Sequence, residues 1–467
     1  MPYPRTKIVC TLGPASATRE TLRSLMEAGL NVARLNFSHG THEQHARTVA
    51  MVRDTATALG RPIAILGDLQ GPRIRIGDLA EPCMVNDGED VVLVAGEDAE
   101  PGQFPTTYAH LCDDVKVGDR ILVDDGLIEL VALDVRARTV TARVLHGGII
   151  TSHKGMNLPG VSVSAPSITE KDWADVAFAV EHKLEYLALS FVRRAADIAE
   201  LRAKIPPETL VVAKIEKDSA LENIESIVLA SDAVMVARGD LGVELPFEEV
   251  PIAQKRIISL CNRLGRPVIT ATQMLESMIT HPRPTRAEAS DVANAILDGT
   301  DAVMLSAETA AGQYPRLAVE AMSRIILEIE KHPRRARVDA GAQDDLAMST
   351  EHAIAAAATS AVRSLGAPAL IVFTKSGFSA RVVASHRPGV PILVLTDQER
   401  TYRQLALVWG VIPCLVKHCD TYESMVKLAL DAVRASGLAR VGDRVVVTAG
   451  VPFDVPGTTN LLKVETV

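Results

Sequence analysis

Apolar residues in this chain gather in short, mostly β-branched runs that end abruptly in polar or charged residues. The runs are KIVCTLG from Lys7, NVARLNFS from Asn31, IAILGDLQ from Ile63, YLALSFV from Tyr186, TLVVAKIE from Thr209, DAVMVARGD from Asp232, PVITATQ from Pro267 and DAVMLSAE from Asp301. Their composition suits strands buried on both faces. Each is followed, directly or after an insertion, by helical periodicity, as in TRETLRSLMEAG behind the first and PFEEVPIAQKRIISLCNRLG behind the sixth. Eight β/α units of this kind predict a (β/α)8 barrel, an α/β fold of the TIM type, over residues 1–70 and 161–333.

The pattern changes twice. Between residues 71 and 160 the helical period gives way to short alternating runs such as VVLVAG and TVTARVLHGG, separated by Gly and Asp turn signals. This predicts an inserted all-β domain, grown from a loop at the barrel mouth and placed to close over it as a lid. The next helix starts in SITEKDW, with Ser167 as N-cap and Glu170 completing a capping box. After the eighth helix, KHPRRARVDAGAQDD reads as a linker. Residues 345–467 then form a separate α/β domain, with a helix from near Ser349 and strands ALIVFT, PILVLT, VIPCLV and RVVVTAG.

Barrel enzymes carry their chemistry at the carboxyl ends of the strands, where this chain places Arg34, Asn36, Ser38, Asp68, Lys214, Glu216, Arg238, Asp240, Thr272 and Glu308. Unpaired charges at the tips of buried strands are costly unless they meet a ligand or a metal. A lysine with two carboxylates, Lys214 with Glu216 and Asp240, suits Mg²⁺ and a phosphoryl group. In the C-terminal domain the loop Thr374-Lys375-Ser376-Gly377-Phe378-Ser379 precedes a helix beginning near Ala380. It fits a phosphate cradle and an ordinary Ser-capped helix equally well.

Composition narrows the classes. The chain has 467 residues, 47% of them hydrophobic, enough for extensive cores. Its net charge of −9 gives no argument for a nucleic-acid or membrane-surface partner. Six scattered cysteines, no apolar span and no leader pattern predict a reduced, cytoplasmic protein. Neither GxxxxGK[ST] nor GxGxxG is present, and His39, His42 and His45 lack the order of a zinc motif, reading instead as helix-surface histidines.

Taken together, KIVCTLGPAS, ARLNFSHG, NLPGVSV, TEKD, SFVR, AKIE, RGDLGVE, ATQMLESM, PTRAE and the TKSG loop resemble the pyruvate kinase family over essentially the whole chain. The resemblance implies transfer of a phosphoryl group from phosphoenolpyruvate to ADP, giving pyruvate and ATP, by a homotetramer. It implies Glu216 and Asp240 as the protein ligands of Mg²⁺, with a second Mg²⁺ arriving with the nucleotide. Lys214 would neutralise the phosphoryl group in flight and Arg34 would hold it. The Gly239 N–H would bind the substrate carboxylate, and the Thr272 hydroxyl would stand near the enol carbon, acting through water. His39, Arg75 and Lys154 match nucleotide-phosphate contacts.

Departures from the family carry expectations of their own. Asn36, Ser38, Asp68 and the carbonyl of Leu69 match its monovalent-cation position, but Arg73 stands where potassium-activated members carry an acid, so K⁺ is not expected to be required. Thr374, Lys375, Ser376 and Ser379 match the effector cradle. GVPFDVPGTTN lacks the tryptophan and arginine that grip a second phosphate, so the expected effector is a sugar monophosphate. Two other readings are a Mg²⁺-dependent lyase of the phosphoenolpyruvate/pyruvate barrel type, which leaves the inserted and C-terminal domains unexplained, and a non-enzymatic sugar-phosphate sensor. The sensor predicts a decayed mouth, whereas Lys214, Glu216, Asp240 and Thr272 are intact.

Overall fold

The computed structural model describes residues 4–332, 349–419, 421–450 and 459–467. Eight parallel strands, Lys7–Thr11, Val32–Asn36, Ala64–Asp68, Tyr186–Leu189, Leu210–Ile215, Ala233–Ala237, Val268–Ala271 and Ala302–Leu305, close into a barrel in chain order. Side chains alternate between faces along a strand. One parity packs against the surrounding helices, as Ile8, Cys10, Ile65, Val211 and Ala213 do. The other, including Val9, Val32, Leu66, Ala188, Val212 and Met304, fills the barrel interior. Followed two residues at a time towards the carboxyl ends, the interior parity reaches Thr11, Arg34 and Asn36, Asp68, Ser190, Lys214 and Glu216, and Ser306. The period that builds the core therefore aims these polar groups into one mouth.

The barrel floor is closed by another part of the chain. Ala406 and Leu407 join the interior cluster from below. Tyr186 donates to the Gln404 carbonyl at 2.7 Å, and buried Lys7 donates to the Val411 carbonyl at 2.8 Å. These belong to the C-terminal α/β unit, whose sheet runs in the order Val411–Leu415, Ile392–Thr396, Leu370–Phe373, Arg444–Ala449 and Leu461–Thr466. Its first four strands are parallel and the last is antiparallel. At the opposite end, the inserted domain is a six-stranded sheet plus a two-stranded ribbon, packed on its own core that includes Leu93, Ile121, Leu130 and Val140.

Three expectations change in detail. The helix behind the inserted domain spans Glu170–Glu181 and is capped by Thr169, whose hydroxyl accepts the Asp172 N–H while the Asp172 carboxylate accepts that of Thr169. Ser167 is not the cap because its hydroxyl is taken by Arg193 at 3.0 Å. The helix behind the Thr374 loop starts at Phe378, not near Ala380, because Gly377, at a φ of 78° that favours glycine, makes the turn earlier. The final strand, Leu461–Thr466, was not expected. Of the expected linker only Lys331 and His332 lie within the described residues, and 451–458 of GVPFDVPGTTN also lie outside them. No helix among the described residues is long and apolar enough to cross a membrane.

Candidate active site

Two cations and two carboxylates meet in the mouth. Arg34 Nε lies 2.6 Å from Asp68 Oδ2, and its terminal nitrogen donates to the Thr11 hydroxyl at 2.9 Å. Lys214 Nζ stands 3.3 Å from Asp68 Oδ1 and 2.8 Å from Glu216 Oε1, and donates to Ser190 Oγ at 2.7 Å. The side chains of Asp68 and Glu216 are each 1% exposed and that of Lys214 is 10% exposed, so pairing decides their charge states. Burial works to strip the proton from Lys214, but Asp68 and then Glu216 hold its pKa above the ordinary value. For Asp68 burial is again the largest single effect, and Lys214 and Arg34 together overcome it and pull the carboxyl below its usual range. Glu216 goes the other way: burial, reinforced by Asp240, outweighs Lys214 and raises it.

Backbone geometry holds the carboxylates. Glu216 Oε2 accepts the Phe191 N–H at 2.6 Å, from a residue at φ 54°, a region an aromatic side chain rarely occupies. Asp240 lies in the first turn of helix Arg238–Glu244 and lines a cavity with Phe191, Arg193, Lys217 and, from the inserted segment, Arg73 and Asp125. Among the described residues no group of three or more His, Cys, Asp or Glu side chains is gathered to hold a metal. Glu216 and Asp240 are two oxygen donors close enough for one charge to shift the other's titration. A hard ion that completes its shell with substrate oxygens and water, as Mg²⁺ does, fits that donor set. Beside them Thr272, at φ 66°, accepts the Gly239 N–H on its hydroxyl at 2.8 Å.

Sequence comparison speaks to the same architecture. The family profile "Pyruvate kinase, barrel domain" matches residues 3–319, and "Pyruvate kinase, alpha/beta domain" matches residues 352–465. This chain belongs to the pyruvate kinase family, whose members are phosphotransferases. It is 47% identical over 471 residues to a pyruvate kinase of Geobacillus stearothermophilus, spanning 99% of this chain and 80% of the relative. It is 46% identical to one of Agrobacterium vitis, spanning 98% of each. A solved pyruvate kinase from Cryptosporidium parvum superposes with a TM-score of 0.94 at 35% identity, covering 99% of this chain and 96% of the other.

The remaining positions suggested by resemblance to pyruvate kinases are spread over three places. His39 is exposed and lines a second cavity with Thr11, Arg34, Asn36 and Ser306. Arg75 and Lys154 sit apart from it on the inserted domain, where Arg75 donates to the His153 carbonyl at 2.9 Å and Lys154 pairs with Asp124 at 2.7 Å. At the monovalent-cation position Asn36 Oδ1 accepts the Ser38 N–H at 3.1 Å and the Leu69 carbonyl accepts the Ser190 hydroxyl at 2.7 Å. Arg73 is exposed on the cavity it shares with Asp240, and the guanidinium on Asp68 is that of Arg34.

In the C-terminal unit Thr374 Oγ1 accepts the Gly377 N–H at 2.9 Å, the Ser379 hydroxyl meets that of Thr459 at 2.6 Å, and the Lys375 carbonyl accepts the Thr401 hydroxyl at 2.6 Å. Ser376 is exposed. Four mouth residues had no role in the sequence reading: Thr11, Ser190, Phe191 and Ser306. Interior parity from Val9 and Ala188 points to the first two. Glu308, expected at the mouth, is a buried cap that accepts the N–H groups of Leu275 and Ser306 at 3.1 and 2.6 Å.

Proposed function

We propose that this protein transfers the phosphoryl group of phosphoenolpyruvate to ADP and protonates the resulting enol, giving pyruvate and ATP. The observation that carries this reading is the pair of buried cations, Lys214 and Arg34, converging on Asp68 beside Glu216 and Asp240. A phosphoryl group passing between two oxygens needs little covalent help from a protein. It needs fixed positive charge and alignment in a site that excludes water.

Lys214, kept cationic by Asp68 and Glu216, supplies that charge with no reorganisation, and Arg34 aligns the same group from strand Val32–Asn36. Glu216 and Asp240 would hold Mg²⁺, which when bound supplies further charge neutralisation to substrate carboxylate and phosphate oxygens; a second Mg²⁺ would enter with the nucleotide. The Gly239 N–H, now on Thr272 Oγ1, would be shared with the substrate carboxylate, and the Thr272 hydroxyl would deliver a proton to the enol carbon through water. The inserted domain, residues 71–160, would bring Arg75 and Lys154 over the nucleotide phosphates as it closes towards His39.

In this reading K⁺ is dispensable and the enzyme works in the cytoplasm as a homotetramer. A sugar monophosphate at Thr374, Lys375, Ser376 and Ser379 activates it. Purified protein should form ATP and pyruvate in equal amounts from phosphoenolpyruvate, dependent on both ADP and a divalent ion. Pyruvate release or carbon–carbon cleavage without ADP would favour the lyase, and binding without turnover would favour the sensor.

A further inference from the structure

Arg238 holds Thr272 without facing substrate. Its side chain is 12% exposed. One terminal nitrogen donates to the Thr272 carbonyl at 2.8 Å and contacts the Met274 sulfur at 2.9 Å. The two terminal nitrogens also grip Asp291 on helix Arg286–Asp298, at 2.8 Å to Oδ1 and 2.7 Å to Oδ2. With both terminal nitrogens engaged inside the protein, this guanidinium is not offered to a phosphate or carboxylate ligand.

The residue it holds is strained. Thr272 is β-branched at φ 66° and Gln273 follows at φ 54°. Consecutive left-handed residues without glycine persist only where the surroundings over-determine them, and such strain clusters at functional sites. Residues 238 and 239 supply the constraint from both ends: Arg238 binds the Thr272 carbonyl, and the Gly239 N–H donates to the Thr272 hydroxyl at 2.8 Å. Asp291 fixes the Arg238 fork in its plane, a bidentate geometry that lysine cannot reproduce.

We infer that Arg238 is a positioning residue for the proton-transfer half of the reaction, fixing the Thr272 hydroxyl at the site of the enol carbon, with Asp291 as its anchor. The inference rests on the function proposed above and adds a division of labour. Lys214 and Arg34 serve the phosphoryl group, while Arg238 and Asp291 serve the proton. In the reverse direction the same geometry removes a proton from the pyruvate methyl group to give the enol.

The test measures deuterium incorporation into the pyruvate methyl group in D₂O by NMR, beside ATP formation, Mn²⁺ binding and melting temperature, for Arg238→Met, Arg238→Lys, Asp291→Asn and Thr272→Val. Because positioned general acid–base groups contribute about 100-fold to 10,000-fold, Arg238→Met should lower exchange by at least roughly tenfold. The KM for phosphoenolpyruvate, Mn²⁺ binding and melting temperature should stay near wild type, and Asp291→Asn should show a milder form of the defect. Adding Arg238→Met to Thr272→Val should cost little more than Thr272→Val alone, since both act through one hydroxyl. Full rescue by Arg238→Lys, wild-type exchange in Arg238→Met, additive losses, or a loss that tracks unfolding overturns the role. Failure of wild type in both exchange and ATP formation overturns the reaction assignment itself, and the role with it.

Discussion

Arg34 Nε stands 2.6 Å from Asp68 Oδ2, while Asp68 Oδ1 faces Lys214 at 3.3 Å. One buried carboxylate is thus matched by two protein cations, which hold its pKa below the usual value against the opposing effect of burial. Arg73 adds a third positive charge, exposed on the cavity it shares with Asp240.

Because the family resemblance puts Arg73 where potassium-activated members carry an acid, turnover is expected to differ by no more than about twofold between tetramethylammonium and K⁺ buffers. Arg73→Glu should acquire K⁺ activation. Strong K⁺ activation of the wild type would contradict the assignment.

The C-terminal loop predicts selectivity among effectors. Thr374 and Ser379 are tied into the local hydrogen-bond network while Ser376 is exposed at the start of helix Phe378–Ser385, where the proposed effector would set its single phosphate. Substrate-saturation curves should shift with a sugar monophosphate and respond little to a bisphosphate. Thr374→Ala/Ser376→Ala should abolish that shift while leaving unactivated turnover within about twofold, because the loop packs at the floor side of the barrel, away from the mouth. Tight activation by a bisphosphate would exclude the proposal.

A pH dependence follows from a pair of histidines. His352 Nδ1 and His386 Nε2 lie 3.3 Å apart between helices Thr350–Leu365 and Phe378–Ser385. Burial first, and the neighbouring His352 second, push the His386 pKa from 6.5 down to about 4. His386 is thus neutral in the folded protein across a range in which the unfolded chain binds a proton. Its contribution to stability is complete above pH 6.5 and is lost as the pH falls from there through about 4. Calorimetry should show the melting temperature falling across that window, with His386→Gln flattening the fall by a few degrees, on the order expected for a domain of this size. An unchanged slope in His386→Gln would remove the histidine pair as its cause.

Much of this molecule could be read from its residues because burial and chemistry share one period. The alternation that places Val212 in the barrel core places Lys214 and Glu216 at its rim, so a strand ending in charges announced both fold and site. Phe191 was silent because its contribution is a backbone N–H aimed by a left-handed φ, and nothing in YLALSFV distinguishes that conformation. The cap at Thr169 was misplaced because Ser167…Glu170 and Thr169…Asp172 have the same spacing. The choice is settled by Arg193 from a later strand end, which takes Ser167. Ala406 and Leu407 looked like ordinary apolar residues of a later domain, and only the closed barrel reveals the floor they fill.

The most direct test of the account is Lys214→Met. Removing one preorganised charge from a buried site costs about 100-fold to 1000-fold in rate, so ATP formation from phosphoenolpyruvate and ADP should fall by that factor. Arg34 still pairs with Asp68, so the variant should fold, with a melting temperature lowered by loss of the Lys214–Glu216 pair, and Mn²⁺ binding should persist at a pH that keeps Glu216 ionised. Such a loss with the fold and the metal site intact supports Lys214 as the charge that meets the phosphoryl group. Near-normal turnover in the variant would contradict it.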